Sequence, residues 1–336
     1  MKEETLSLSY GTAVREGFAY LLREHPEVFV IGQGLWSPWY VGNSMTELDR
    51  EFGRERVIDT PVSELACTGA ALGAALAGRR PIVVHPRVDF MLLAVDQIVT
   101  QAAKWSSMFG RAGAAPVVFR GIVNRGGEQG AQHSQSLHSW FAHVPGLRVV
   151  MPASVADARD LLVSATLCDD PVLYIDDRWL YEREADIPAI PDVDAIHRGP
   201  RIVRAGTDVT LVGAGYASYL AEQAADELAA LGISAEVVDL RTINPLEMDV
   251  VVASVERTGR LVAVDGDWTV CGLAGEIVAA VVERLPLGAM VAKPRRVTLQ
   301  DAPAPTSRPL EARYYPTVEK VVAAVRASVG LGVALA

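Results

Sequence analysis

The sequence predicts an α/β protein of two domains, each built around a parallel sheet. Three observations carry this. From Val209 onward, short apolar runs of strand type alternate with stretches of helical periodicity, the pattern of a parallel sheet with helices on its faces. Earlier, Val57 to Val84 (VIDTPVSELACTGAALGAALAGRRPIVV) reads as a helix that re-enters a sheet at Pro81. Between these regions Asp186 to Gly199 is rich in Pro and Asp, with IPAIPDVD at its centre, and reads as an interdomain linker. A chain of 336 residues is long for one core and suits this division.

The first domain opens with helical periodicity over Thr12 to Glu24. The apolar strand Val28 to Ile31 then runs into Gly32, Gln33 and Gly34, and a strand ending in a Gly-rich turn is a usual place for ligand contact in α/β proteins. Trp36 and Trp39 follow, lining a pocket or simply covering the core, and Met45 to Phe52 is expected to be helical. Thr60 followed by Pro61 is a helix-start signal, so the next helix should open within two residues of Thr60. Ala66, Gly69, Ala70, Gly73, Ala74 and Ala77 give it one thin face, suited to a close helix–helix seam within or between subunits. The two glycines cost roughly 1 kcal/mol each in helix propensity, which a packing contact would offset. Phe90 begins a long helix, Pro116 to Arg120 a strand, and Gly126, Gly127 and Gly130 a flexible loop. Leu147 to Met151, a helix through Asp157 to Leu167, and strand Val172 to Ile175 complete the domain.

In the second domain the strands are Val209–Val212, Ala235–Leu240, Leu261–Asp265 and Arg296–Leu299. Helices Ala217–Leu231, Glu247–Arg257 and Leu273–Glu283 connect them, and Val318–Val329 closes the chain. VGAGYAS, Val212 to Ser218, imitates a dinucleotide fingerprint with Asp239 at the next strand end. Ser218 stands where the third glycine should be, and a bare GxG is a weak signal.

Composition narrows the function. Hydrophobic residues make up 50% and charged residues 21%, an ordinary packed protein. A formal charge of -10 with no block of Lys and Arg argues against nucleic-acid binding and toward small-molecule substrates or protein partners. There is no signal-type segment and no run of about 18 apolar residues, so a soluble, cytoplasmic protein without a membrane partner is expected. Cys67, Cys168 and Cys271 are widely spaced and indicate neither a disulfide framework nor a zinc site.

Two residues stand out for chemistry. Glu64, on the first turn of a helix expected to be buried, is either an acid favoured by the helix dipole or a partly buried carboxylate that shares a proton with a ligand. His133, His138 and His143 recur at five-residue spacing, which does not align on one helix face, so no metal site is expected. His133, in AQHSQS at a loop end, is the candidate for acid–base or charge-stabilising work, against the plainer reading of a polar loop.

VIDTPVSELACTGAALGAALAG, DFMLLAVDQI and GAQHSQSLHSWFAHVPGLRVVMPAS together resemble the β subunit of the thiamine-diphosphate-dependent 2-oxo acid dehydrogenases, the E1 component of pyruvate and branched-chain complexes. ISAEVVDLRTINPLE and YYPTVEKVVAAV extend the resemblance over almost the whole chain. It implies a transketolase-like architecture: a pyrimidine-binding domain at 1–185, a linker at 186–200 and a transketolase C-terminal-type domain at 201–336. It also implies an α2β2 heterotetramer with thiamine diphosphate between α and β chains. Magnesium would be held mainly by the α subunit, whose GDG and NN motif this chain lacks. A potassium ion in the β loops, as in some relatives, stays open. In the family the residue matching Glu64 hydrogen-bonds the aminopyrimidine, that matching Phe90 stacks on it, and that matching His133 lies near the reacting carbon and the lipoyl thiolane. The chain alone is therefore expected to be silent.

Several positions depart from the family pattern. Gln33 stands for a glutamate beside the cofactor. VHPRVDF replaces Glu-x-x-Phe-x-Asp-Phe and brings His85 and Arg87 beside the pocket; Asp176, Asp177 and Arg178 stand for Glu-His-Lys or Glu-His-Arg, and DGDWTVCG for a His-Glu loop. The leading expectation is decarboxylation of a 2-oxo acid with acyl transfer to a lipoyl-bearing acyltransferase. Alternatives are a two-chain carboligase or transketolase-like enzyme with an aldehyde or ketone acceptor, and a non-catalytic assembly subunit.

Overall fold

The computed structural model describes residues 4–110 and 114–331, so the outermost ends of the two expected domains lie outside the described residues. The chain forms two compact units, one of residues up to Arg125 with His133–Arg198, the other of Gly126–Gln132 with Gly199 onward.

In chain order the first unit holds β1 Thr5–Ser9, α1 Tyr10–Glu24, β2 Val28–Gln33, α2 Pro38–Val41, α3 Leu48–Phe52, β3 Val57–Thr60, α4 Glu64–Leu76, β4 Arg80–His85 and α5 Val88–Met91. It continues with α6 Ala103–Phe109, β5 Val118–Val123, α7 His138–Ala142, β6 Arg148–Val150, α8 Val155–Leu167, β7 Val172–Asp177 and β8 Glu184–Pro188. Its main sheet runs β6-β7-β5-β4-β2-β3 with every neighbouring pair parallel. The central strands β5 and β7 are buried at every residue, as expected for a sheet covered on both faces. Gly32 is needed for the approach of β2 to β4, since a Cβ there would lie 2.3 Å from the Val84 carbonyl oxygen. A capping box between Ser9 and Thr12 starts α1, which packs on α8.

The structure corrects several expected boundaries. Thr60 does not open a helix: it is the last residue of β3, in register with Gln33 of β2, and its extended backbone is committed to the sheet. The helix begins four residues later, at Glu64, behind an N-cap Ser63 whose side chain makes no capping hydrogen bond. The expected helix over Met45–Phe52 divides into a 3-10 turn, Gly42–Met45, and α3. The long helix placed from Phe90 starts at Val88 and changes pitch, passing through a 3-10 turn, Leu92–Ala94, and a π-helical stretch, Asp96–Ala102, before α6. Part of the expected linker is also ordered sheet, because β8 pairs antiparallel with β1 from Thr5↔Pro188 to Ser9↔Glu184. The small-residue face of α4 is exposed at Ala66, Ala70, Gly73 and Ala77, and a Cβ added at Gly73 would meet nothing within 4 Å.

The second unit holds β9 Arg201–Arg204, β10 Val209–Gly213, α9 Tyr216–Ala230, β11 Ala235–Asp239, β12 Thr242–Asn244, α10 Asp249–Thr258, β13 Leu261–Trp268, α11 Leu273–Arg284, β14 Arg295–Leu299, α12 Arg308–Tyr314 and α13 Val318–Ser328. Its sheet runs β14-β13-β10-β11-β9, parallel except for β9. Val209, Leu211, Val237, Val262 and Val264 form its core with α9 and α13. Gly213 of VGAGYAS serves packing: a Cβ there would fall 2.8 Å from the Ala217 backbone. The loop at 126–132 belongs to this unit, where the Glu128 N–H donates to both carboxylate oxygens of Glu311 at 3.2 and 3.0 Å. No helix among the described residues is long and apolar enough to cross a membrane.

Candidate functional site

Parallel strands leave their carboxyl ends on one edge of a sheet, and loops there gather side chains from elements distant in sequence. On this edge of the first unit, β2, β3, β4 and the start of α4 line a small cleft with Gln33, Thr60, Glu64, Cys67, His85 and Pro86. Gln33 and Glu64, 31 positions apart in sequence, thus share one site. The turn after β2 is held by Asp59, whose carboxylate accepts from the Gly34 N–H at 2.6 Å. Trp36 folds back, donating its indole N–H to the Val57 carbonyl at 2.9 Å under the Arg54 guanidinium, while Trp39 is 81% exposed.

Glu64 is the first residue of α4, where the unpaired N–H groups of the first turn favour a negative charge. The expectation of a buried helix does not hold at this end, for Val62 and Leu65 are 69% and 53% exposed and Glu64 itself is half-buried. Its carboxylate makes no hydrogen bond or ion pair with another described residue. Behind it His85 is buried, its Nε2 3.4 Å from the Thr68 hydroxyl. Burial disfavours the imidazolium and pushes His85 down to about 4, so the ring is neutral near pH 7. The Cys67 thiol donates to the Thr60 hydroxyl at 3.2 Å.

Phe90 and His133 form a second pair, their ring centroids 5.2 Å apart and their planes at 85°. Phe90 is 38% exposed and keeps a free face. Between them works a residue the sequence did not single out for chemistry: Asp89, buried, accepts from the Gln135 backbone N–H at 3.1 Å and from its side-chain amide at 2.9 Å. Desolvation raises the Asp89 carboxyl, and these two hydrogen bonds pull against it. The other histidines separate in role, His138 being buried with Nδ1 2.8 Å from the Ser136 hydroxyl and His143 exposed. The cleft holds Gln33 and Glu64 but not Phe90 and His133; the two groups are linked through the turn Leu92–Ala94, which packs on α4.

The central strands carry a polar network that apolar periodicity hides. Arg120 on β5 is fully buried, with Nε and Nη2 donating to the two Asp176 oxygens at 3.0 and 2.6 Å and Nη2 also to the Ser44 and Tyr181 hydroxyls at 2.9 and 2.8 Å. Burial lowers the Arg120 pKa, but Asp176 outweighs it and the net direction is up. Arg125 pairs with Asp177. The only available sequence signal was a charge inside each apolar run, VVFRGIV and VLYIDD. Among the described residues no cluster of three or more His, Cys, Asp or Glu could hold a metal.

Residues 7–183 match the family model of the transketolase pyrimidine-binding domain, and residues 200–321 match that of the transketolase C-terminal domain. The pyruvate dehydrogenase E1 component subunit beta of Rhizobium meliloti is 37% identical over 325 residues, 96% of this chain and 70% of its own length. The chain belongs to the transketolase-type family of E1 β subunits. The acetoin:2,6-dichlorophenolindophenol oxidoreductase subunit beta of Cupriavidus necator is 44% identical over 81% of this chain and 80% of its own length. The mitochondrial pyruvate dehydrogenase E1 subunit beta of Homo sapiens is 33% identical over 97% of this chain and 92% of its own. In fold, the β-subunit chain resembles a solved split-gene transketolase described as an inactive beta4 tetramer. That match has a TM-score of 0.76 at 22% identity, over 96% of this chain and 99% of the other.

Proposed function

We propose that this chain is the β subunit of a two-chain thiamine-diphosphate enzyme that decarboxylates a 2-oxo acid and passes the acyl group to a lipoyl acceptor. On this reading residues 1–185 form the pyrimidine-binding domain and residues 201–336 the C-terminal domain. The observation that carries it is the Glu64 carboxylate, set at a helix start in a strand-end cleft with no partner among the described residues. A flat nitrogen heterocycle fits these groups, since Glu64 can hold a proton at a ring nitrogen and Phe90 offers an exposed aromatic face. When bound, thiamine diphosphate supplies an electron sink for loss of carbon dioxide from the 2-oxo acid. Gln33, neutral where the family has an acid, contributes an amide that can donate or accept. His133, held against Phe90 and followed two residues on by the Asp89–Gln135 hydrogen bond, can supply a proton or stabilise charge on this reading.

Magnesium and the diphosphate belong on this reading to an α partner in an α2β2 assembly. The nearest acidic look-alike here is already engaged, with Asp265 accepting from the Asp267 and Ala274 N–H groups at 3.1 and 2.9 Å. A second reading keeps the cofactor but uses an aldehyde or ketone partner. It is favoured by two neutral residues, Gln33 and His85, lining the cleft, and by a relative named for acetoin.

Carbon dioxide release from a panel of 2-oxo acids, by this chain reconstituted with its α partner, thiamine diphosphate and magnesium, tests the proposal. Release is expected in the complex, none from the chain alone, and a loss of at least about 100-fold in Glu64→Gln. Full activity in Glu64→Gln would overturn the role of Glu64. Product analysis with and without a lipoyl acceptor separates the two readings.

A further inference from the structure

Arg87 follows β4 by two residues and Arg178 follows β7 directly, so both leave the carboxyl edge of the first unit's sheet. Both are half-buried, and each has a buried Nε with no hydrogen-bond partner. Arg87 donates Nη1 only to the Pro86 carbonyl beside it, at 2.9 Å. Arg178 donates Nη2 to the Tyr40 carbonyl and, at 3.5 Å, to that of Trp39, and its guanidinium carbon lies 5.9 Å from the Tyr181 ring centre.

Neither guanidinium has a carboxylate within ion-pair distance among the described residues, and the two acids at the end of β7 are committed elsewhere. Asp176 is taken by Arg120 and the Tyr181 hydroxyl, and Asp177 by Arg125. Asp89 accepts from Gln135 at Oδ1 and leaves Oδ2 unpaired, without forming an ion pair to either arginine. The two cations also lie in each other's field: burial lowers the Arg87 pKa first, and Arg178 lowers it further, while Asp89 and Tyr181 oppose this. Two half-buried like charges with unmade donors are costly. A guanidinium fork matches the geometry of a carboxylate or phosphate and would offset both costs at once.

We propose that Arg87 and Arg178 together bind a small oxyanion, a carboxylate or a phosphate, at the carboxyl edge of this sheet. The site goes beyond the thiamine reading and does not depend on it. One cation comes from the HPR segment and the other from the end of β7, so the site needs both loops in place.

Isothermal titration calorimetry of the full chain with inorganic phosphate, and separately with acetate, at constant ionic strength reads this site without cofactor or partner. Saturable one-to-one binding of at least one anion is expected, weakened at least tenfold in Arg87→Gln and in Arg178→Gln. Arg178→Lys, which keeps the charge but loses the fork, should fall between, and it serves if a glutamine variant folds poorly. Binding of phosphate alone assigns a phosphoryl ligand, and binding of acetate assigns a carboxylate. No saturable binding of either anion, or binding undiminished in all three variants, overturns the proposal.

Discussion

The Phe90 ring meets the His133 imidazole edge to face at 5.2 Å, which ties the start of the helical path after β4 to the loop after β5. Aromatic pairs of this geometry contribute about 0.5–1.5 kcal/mol beyond the area they bury. Phe90→Leu keeps apolar bulk but frees the imidazole. On the proposed function it should lower kcat of the reconstituted complex about 3- to 10-fold, with a fall in melting temperature of only about 2–4 °C, Phe90 being 38% exposed. Steady-state kinetics beside a thermal scan checks this; an unchanged kcat would remove His133 positioning from the role of Phe90.

Asp89 acts one residue earlier, through its two hydrogen bonds to Gln135. Asp89→Ala leaves the Gln135 N–H without its acceptor and should cost about 1–3 kcal/mol. Asp89→Asn retains an acceptor oxygen without a charge to desolvate and should cost under about 1 kcal/mol. Hydrogen exchange across residues 133–137 should quicken in the alanine variant and stay near wild type in the asparagine variant. Equal protection in both would show that the loop is held by other contacts.

The strand–helix alternation was legible in the sequence because apolar runs such as VVFRGIV and VLYIDD are short, rich in β-branched residues and preceded by Pro, as suits a sheet buried on both faces. Glu64 was legible as a first-turn acid for a local reason, the helix start itself. What stayed hidden was set by tertiary pairing. Thr60 looks like a cap in isolation and becomes a strand end because Gln33 lies opposite it. The pitch change after Phe90 has no local breaker, with Leu92 to Ala102 containing neither Gly nor Pro. Asp176 was read as a departure from a motif and Asp89 only as a member of one, yet their partners, Arg120 and Gln135, lie 56 and 46 positions away.

The Arg120–Asp176 pair, fully buried on both sides, is a contact whose loss should be felt by the whole first unit. Arg120→Met strands the Asp176 carboxylate, with the Tyr181 hydroxyl still donating to it at 2.6 Å, and should cost about 3–5 kcal/mol. Replacing both, as Arg120→Met with Asp176→Leu, should recover much of that loss, since the penalty lies in the unpaired charge. Urea unfolding of the two variants measures the difference. A double variant no more stable than the single one would mean that Ser44 and Tyr181 depend on the ion pair itself.

His85 gives the protein a pH dependence of definite sign. Its ring titrates at about 4 in the folded chain against an ordinary value of 6.5, because burial next to Thr68 disfavours the charged form. Between those values the unfolded chain binds more protons than the folded one, so stability rises with pH across the window. The contribution is complete above pH 6.5 and is lost as pH falls toward 4, by up to about 3 kcal/mol at about 1.4 kcal/mol per pH unit. His85→Gln can still hydrogen-bond Thr68 but cannot titrate. It should flatten the urea midpoint between pH 6.5 and 4 relative to wild type, whatever its absolute stability. Parallel slopes in the two proteins over that range would show that His85 is hydrated in solution, and that acid destabilisation comes from other groups.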